Sequence, residues 1–279
     1  MKSNLLQVSE LNVTPAKEMI DNATGVTHYL CTIEIRIILM QERYLGDVHD
    51  YVKYAILRAW AEETGCRIGV NWYLTKPDDV DPTHSNDGEK RHHLNQPIWE
   101  NYDPQLLQKL RELKEPEHRK IQNFPNTGIL SEMSTYFSEL VPFDANERIL
   151  WHSKAMSKLS NCDVVFLDPD NGFEVKSMSG KKKAKYAYYE EVDDYRNAGK
   201  TTITIQFARQ CDPVKRARDI RCLRAKQFPN DINLPVLRAR NSPNVLFFFS
   251  APQHQNETIM KVQQKIATGL GSTKIELIR

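Results

Sequence analysis

No two of the five cysteines (Cys31, Cys66, Cys162, Cys211 and Cys222) stand at a CxxC spacing. The usual zinc-finger and thioredoxin patterns are thereby excluded, and an odd, scattered set suits a reducing compartment. No run of about 18 apolar residues occurs, so no transmembrane helix is expected. The densest early apolar stretch, Tyr29 to Met40, is interrupted by Glu34 and Arg36 and has acidic residues upstream. That is not the order of a secretory signal, and a cytoplasmic protein is the expectation. There is no large excess of charge: Lys+Arg 38 against Asp+Glu 36 leaves +2, so any nucleic-acid surface has to be a local patch. Eleven glycines and 14 prolines in 279 residues are too few for a collagen-like or low-complexity chain, and no repeat is visible. A chain of this length, 40% hydrophobic, buries a core without disulfide or metal staples.

What is present divides the chain near residue 43. Residues 1–43 read as an N-terminal extension, in which polar residues 1–28 give way to a β-branched strand candidate, Thr32–Ile38. The strongest motif begins four residues after Met40. Met40 is therefore a candidate biological start, with the first 39 residues arising from an over-extended reading frame and dispensable for folding. Residues 44–279 are expected to form a single α/β domain. Helices are predicted over 47–63, near 104–114, 129–140 and 145–159, from 189 to about 197, over 213–227 and near 256–268. Strands are predicted over 67–74, 163–167, 185–189, 201–207, 236–239, 245–249 and 275–278, with a polar loop over 76–95. This alternation predicts an open, mostly parallel sheet flanked by helices on both faces.

Four constellations carry chemistry. In Gly46–Tyr54 (GDVHDYVKY), Asp47 is placed to cap a helix, Asp50 and Lys53 to pair at i,i+3, and Gly46 to admit a close neighbour. Asp168-Pro169-Asp170-Asn171-Gly172 follows the apolar run DVVFL, beyond the carboxyl end of a predicted strand, where open α/β sheets collect ligands. It also has the composition of an ordinary turn. The long loop contributes Asn86, Asp87, Lys90 and His93; adjacent His92 and His93 match no standard zinc spacing. Cations cluster at Lys181, Lys182 and Lys183, and on the 213–227 helix at Arg218, Arg221 and Arg224, either as a phosphate-binding surface or as a solvated helix face. The three polar segments at 47–53, 86–93 and 168–171 are expected to line one cleft.

The segments YLGDVHDYVKYAILR (Tyr44–Arg58), SNDGEKRHHL, VVFLDPDNGFEV and KYAYYEE resemble a widespread group of uncharacterised bacterial proteins with a GDxxDxxKYxxLR start, over residues 43 to about 250. That resemblance implies no activity. More distantly, Gly46–Tyr54 is similar in layout to the GNHADxxKH segment of the J-type adenine-N6 methyltransferases of bacterial 23S ribosomal RNA. Asp168–Asn171 stands where those carry a catalytic DPPY turn. The resemblance implies a seven-stranded sheet of the S-adenosylmethionine-dependent class. It further implies that Asp168, with Asp170 and Asn171 beside it, meets the acceptor amine, and that Asp47, His49, Asp50 and Lys53 hold the polar end of S-adenosylmethionine. The partner it implies is RNA or DNA. The sequence departs from the pattern at Asp170 and Asn171, which replace the second proline and the aromatic, and at Leu74-Thr75-Lys76-Pro77, which replaces the glycine-rich loop after the first strand. From the residues alone, Asp47, Asp50, Asp87, Asp168 and Asp170 also supply enough oxygen ligands for a Mg²⁺-dependent nuclease or phosphoryl hydrolase, with Lys53 or Lys90 facing the phosphate.

Overall fold

A computed structural model describes residues 17–20, 27–30, 42, 44–75, 90–241 and 243–279. The strand candidate Thr32–Ile38 and the loop residues Asn86 and Asp87 lie outside the described residues. The chain divides into two units, residues 1–38 and 39–279. In the first, β1 (Lys17–Ile20) pairs antiparallel with β2 (Thr27–Leu30), with Lys17 opposite Leu30 and Ile20 opposite Thr27. The second unit carries every other element.

Its first helix, α1 (Val48–Thr64), begins where Asp47 Oδ1 accepts from the backbone N–H of His49 at 2.8 Å and of Asp50 at 3.1 Å, and ends at Gly65. The strands that follow are β3 (Ile68–Asn71), β4 (Thr135–Phe137), β5 (Val164–Leu167), β8 (Thr201–Ala208), β9 (Val236–Ala239), β10 (Asn244–Ser250) and β11 (Ile275–Ile278). They form one sheet in the order β11-β9-β10-β8-β5-β3-β4. The pairings β4–β3, β3–β5 and β5–β8 are parallel; β8–β10, β10–β9 and β9–β11 are antiparallel. Five of the seven strands therefore run one way, and the expected parallel core is β4-β3-β5-β8. The run DVVFL supplies its central strand. A short parallel pair, β6 (Gly172–Phe173) with β7 (Tyr186–Ala187), forms a sheet of its own.

Strand composition explains the burial. The four residues of β3 and the four of β5 are all buried, as apolar strands covered on both faces must be. β8 alternates: Ile203 and Ile205 enter one core, with Phe207 packed against it, while Thr202, Thr204 and Gln206 face the other way. On the first face lie α1, α3 (Pro104–Glu112) and α7 (Asn256–Leu270); on the second, α4 (Ala145–Lys158), α5 (Tyr189–Asn197) and α6 (Pro213–Arg224). A short helix, α2 (Pro97–Tyr102), precedes α3.

One predicted element is wrong. The helix expected over 129–140 is instead irregular chain leading into edge strand β4. Apolar residues at helical spacing suggested the helix, but Thr135-Tyr136-Phe137 is β-prone and finds an open parallel edge at β3, with Gly69 opposite Thr135. Among the described residues no helix is long and apolar enough to cross a membrane.

Candidate functional site

The chain leaves β3 for β4 on one side and later returns to β5 on the other, so the winding direction reverses between β3 and β5. The crevice beyond the carboxyl ends of strands at such a reversal is the usual ligand position in open α/β sheets. Backbone strain points to the same end of the sheet. Among the described residues, the non-glycine positions with positive φ are Tyr73 (48°) and Gln210 (52°), each just past the carboxyl end of a strand in the parallel core.

Into this place α1 brings its first turns. Lys53 Nζ lies 3.0 Å from Asp50 Oδ1, and 2.9 and 3.0 Å from the two oxygens of Asp168, which directly follows β5. Two segments 115 residues apart thus meet through one ammonium group. Asp47, Asp50, Lys53 and Asp168 are all buried, between 5% and 8% exposed. Asp50 is fully engaged, since its Oδ2 also accepts from Gly46 N at 2.8 Å and from the Tyr54 hydroxyl at 3.2 Å. Gly46 has a φ of 82°, and a side chain there would press on Leu113 at 3.0 Å. Arg91 fixes the approach to the helix by donating to the carbonyls of Leu45 and Gly46.

The electrostatics follow from three buried carboxylates around one buried cation. Burial pushes Asp168 up to about 6, Lys53 opposing the shift and Asp50 adding to it. Burial and then Asp50 push Asp47 up to about 7. Burial alone would lower the Lys53 ammonium, but Asp168, Asp50 and Asp47 together hold it above its ordinary value. His49, on the same turn, is lowered to about 4 by burial and by Lys53, Lys90 and Arg209 nearby, with Asp50 opposing. Its ring stands edge-on to Phe207 at 5.5 Å, and its Nδ1 is buried without a hydrogen-bond partner.

The acidic turn is held from behind. Gln206 donates through Nε2 to the Asn171 carbonyl at 2.8 Å, and its Oε1 accepts from Phe173 N at 3.0 Å. Thr75 donates to Asp170 Oδ2 at 3.1 Å. On the second face, Tyr73 donates to Glu191, which pairs with Arg148 through contacts of 2.6 and 2.9 Å. Gln206, Tyr73, Tyr54 and the Arg148–Glu191 pair were missed in the sequence. A lone glutamine in the strand TTITIQFA was the available signal for the first.

The remaining expected residues divide. The Lys90 carbonyl accepts from Val48 N at 2.8 Å, which brings the end of the long loop to the start of α1. His93 is wholly buried against Tyr51 and Trp99, and burial lowers it to about 3. Lys181, Lys182 and Arg218 are exposed; Lys183 and Arg221 are half-buried, and Arg221 donates to the Ile232 carbonyl. Arg224 does not belong with the surface cations. It is buried, ion-paired with Asp193 and bonded to Ser250, beside a cavity of about 10 Å³, room for about one water. The clustering of cations along the predicted helix put it with its neighbours, but it falls on the inward face of α6. A larger, polar recess of about 340 Å³ lies at the opposite end of the sheet, among Arg67, Asp163, Lys200 and His254.

The Mg²⁺ expectation meets a direct obstacle, because the Lys53 ammonium occupies the position a cation shared by Asp50 and Asp168 would take. Among the described residues no three His, Cys, Asp or Glu side chains are grouped as for a metal ion. Asp47→Asn tests the electrostatics. Asparagine caps a helix as well as aspartate does. A carboxyl raised in the folded state contributes stability below its unfolded value near 4 and loses it as pH rises through about 7. The variant should therefore be more stable than the parent at pH 8, on the order of 1–3 kcal/mol, and equal to it near pH 4. Urea denaturation at the two pH values measures this; a variant less stable at pH 8 contradicts the assignment.

Comparison with known protein families, curated proteins and solved structures finds no match.

Proposed function

We propose that the chain is an S-adenosylmethionine-dependent methyltransferase acting on nucleic acid, or a diverged member of that class. The contact of Lys53 with Asp168 carries the reading, because it joins the two segments on which the resemblance rests, at the sheet reversal where a ligand is expected. The antiparallel β10 between β8 and β9 is compatible with the sheet of that class.

The site chemistry suits the zwitterionic end of the cofactor. Asp50 and the cations Lys53, Lys90 and Arg209 act on His49, whose Nδ1 is buried without a hydrogen-bond partner. After β3 the chain runs Trp72-Tyr73-Leu74-Thr75, without a glycine. The cofactor supplies an electrophilic methyl group. Asp168 accepts a hydrogen bond from the acceptor amine, and Lys53 orients the Asp168 carboxylate and holds it ionised. Basic residues beyond the turn take the phosphates.

Saturating S-adenosylmethionine, at about 100 times its dissociation constant, should stabilise the full chain by about 2.7 kcal/mol and raise its melting temperature by several degrees. Asp168→Ala should keep most of that shift and lose methyl transfer to RNA or DNA. An unchanged melting temperature at millimolar cofactor overturns the reading.

A further inference from the structure

We propose that Phe143 and the lysines at 181–183 form a stacking platform for a single strand of nucleic acid, next to the Asp168–Asn171 turn. This rests on the nucleic-acid reading above and narrows its substrate class. Between Glu174 and Glu190 the sequence has five lysines (Lys176, Lys181, Lys182, Lys183 and Lys185) and no acid. Its middle folds as a 3₁₀ turn, Gly180–Lys185, whose backbone is pinned at two points. Arg148 Nη1 donates to the Lys183 carbonyl at 3.0 Å, and Asn171 N donates to the Lys185 carbonyl at 3.0 Å. The second bond ties the basic turn to the acidic one.

The side chains of Lys181 and Lys182 face solvent. Phe143, an aromatic residue 48% exposed, stands just before α4, and the Lys181 ammonium lies 5.7 Å from its ring centre. Asp144, the residue after Phe143, caps α4 through Asn146 N and Glu147 N. A half-exposed ring beside ammonium groups is the pairing that binds single strands, since every unpaired base offers a π-face and every linkage a charge. A duplex hides its bases and would use the lysines alone.

Fluorescence anisotropy of the full chain with labelled 12-nucleotide single-stranded RNA, single-stranded DNA and duplex DNA tests this. Single strands should bind more tightly than duplex, the RNA and DNA arms identifying the favoured sugar. Phe143→Ala should weaken single-strand binding by about tenfold with the salt dependence unchanged, and Phe143→Trp should restore it. Lys181→Ala with Lys182→Ala should flatten the slope of log affinity against log salt by about 1.4. Equal affinity for duplex, indifference to Phe143→Ala, or displacement of the strand by polyglutamate as readily as by unlabelled strand overturns the proposal, the last in favour of an acidic protein partner. Cofactor titration without nucleic acid is read separately. A chain that binds S-adenosylmethionine but not single strands loses only this platform, and the converse result loses only the cofactor.

Discussion

Replacing Lys53 by methionine should lower the melting temperature of the full chain by about 10 °C at pH 8. The substitution keeps the length and apolar body of the side chain but removes the charge that Asp50 and Asp168 share. Breaking a buried ion pair by removing one partner costs about 3–5 kcal/mol, and each kcal/mol moves the melting point of a domain this size by about 2–4 °C. The deficit should shrink at pH 5. Asp168 is already raised to about 6 with Lys53 present, so without it the carboxyl takes up a proton and no longer needs a partner. Adding Asp168→Asn to Lys53→Met should recover part of the loss at pH 8, a coupling that a double-mutant cycle reads directly. An exposed i,i+3 pair would give less than 1 kcal/mol and no such recovery.

Gly172→Ala should be the most damaging single-methyl change in the acidic turn. Its φ is 109°, a region that side-chain-bearing residues rarely enter, and an added Cβ would lie 2.5 Å from the Gln206 amide carbon and 2.8 Å from the Gln206 Cα. The amide end can swing away, but the Cα belongs to β8, paired with Leu246 of β10, and cannot. Strain and overpacking together should cost about 2–5 kcal/mol. Because Gln206 holds the Asn171 carbonyl, relief would come by moving the turn. Ligand affinity should therefore fall even at temperatures where the variant remains folded. Chemical denaturation and cofactor titration at 15 °C separate the two effects. A variant with parental stability and affinity contradicts the close packing of the turn on β8.

How far the sequence revealed this depended on how local each determinant was. The Asp47 cap, the Asp50–Lys53 pair and the central strand at 164–167 are short-range features whose spacing carries their geometry. The apposition of Lys53 and Asp168 was legible only because both segments read as ligand-facing ends in an α/β sheet. The edge strand at 135–137 was hidden because its neighbours Ile129, Leu130 and Met133 imitate a helical stripe, and pairing with β3 is a long-range event. Arg224 was misplaced because composition marks a helix as basic without saying which face turns inward. Tyr73 carried no signal at all, since neither its left-handed backbone nor its bond to Glu191, 118 residues away, leaves a local pattern.

Hydrogen exchange of the full chain, read by mass spectrometry with and without S-adenosylmethionine, tests most directly where the ligand sits. Added protection is expected in peptides spanning 46–54 and 168–172, at the carboxyl ends of β3 and β5, with none at 160–163 and 198–201. Protection confined to 160–163 and 198–201, at the polar recess on the amino ends of the strands, or no protection anywhere, contradicts it.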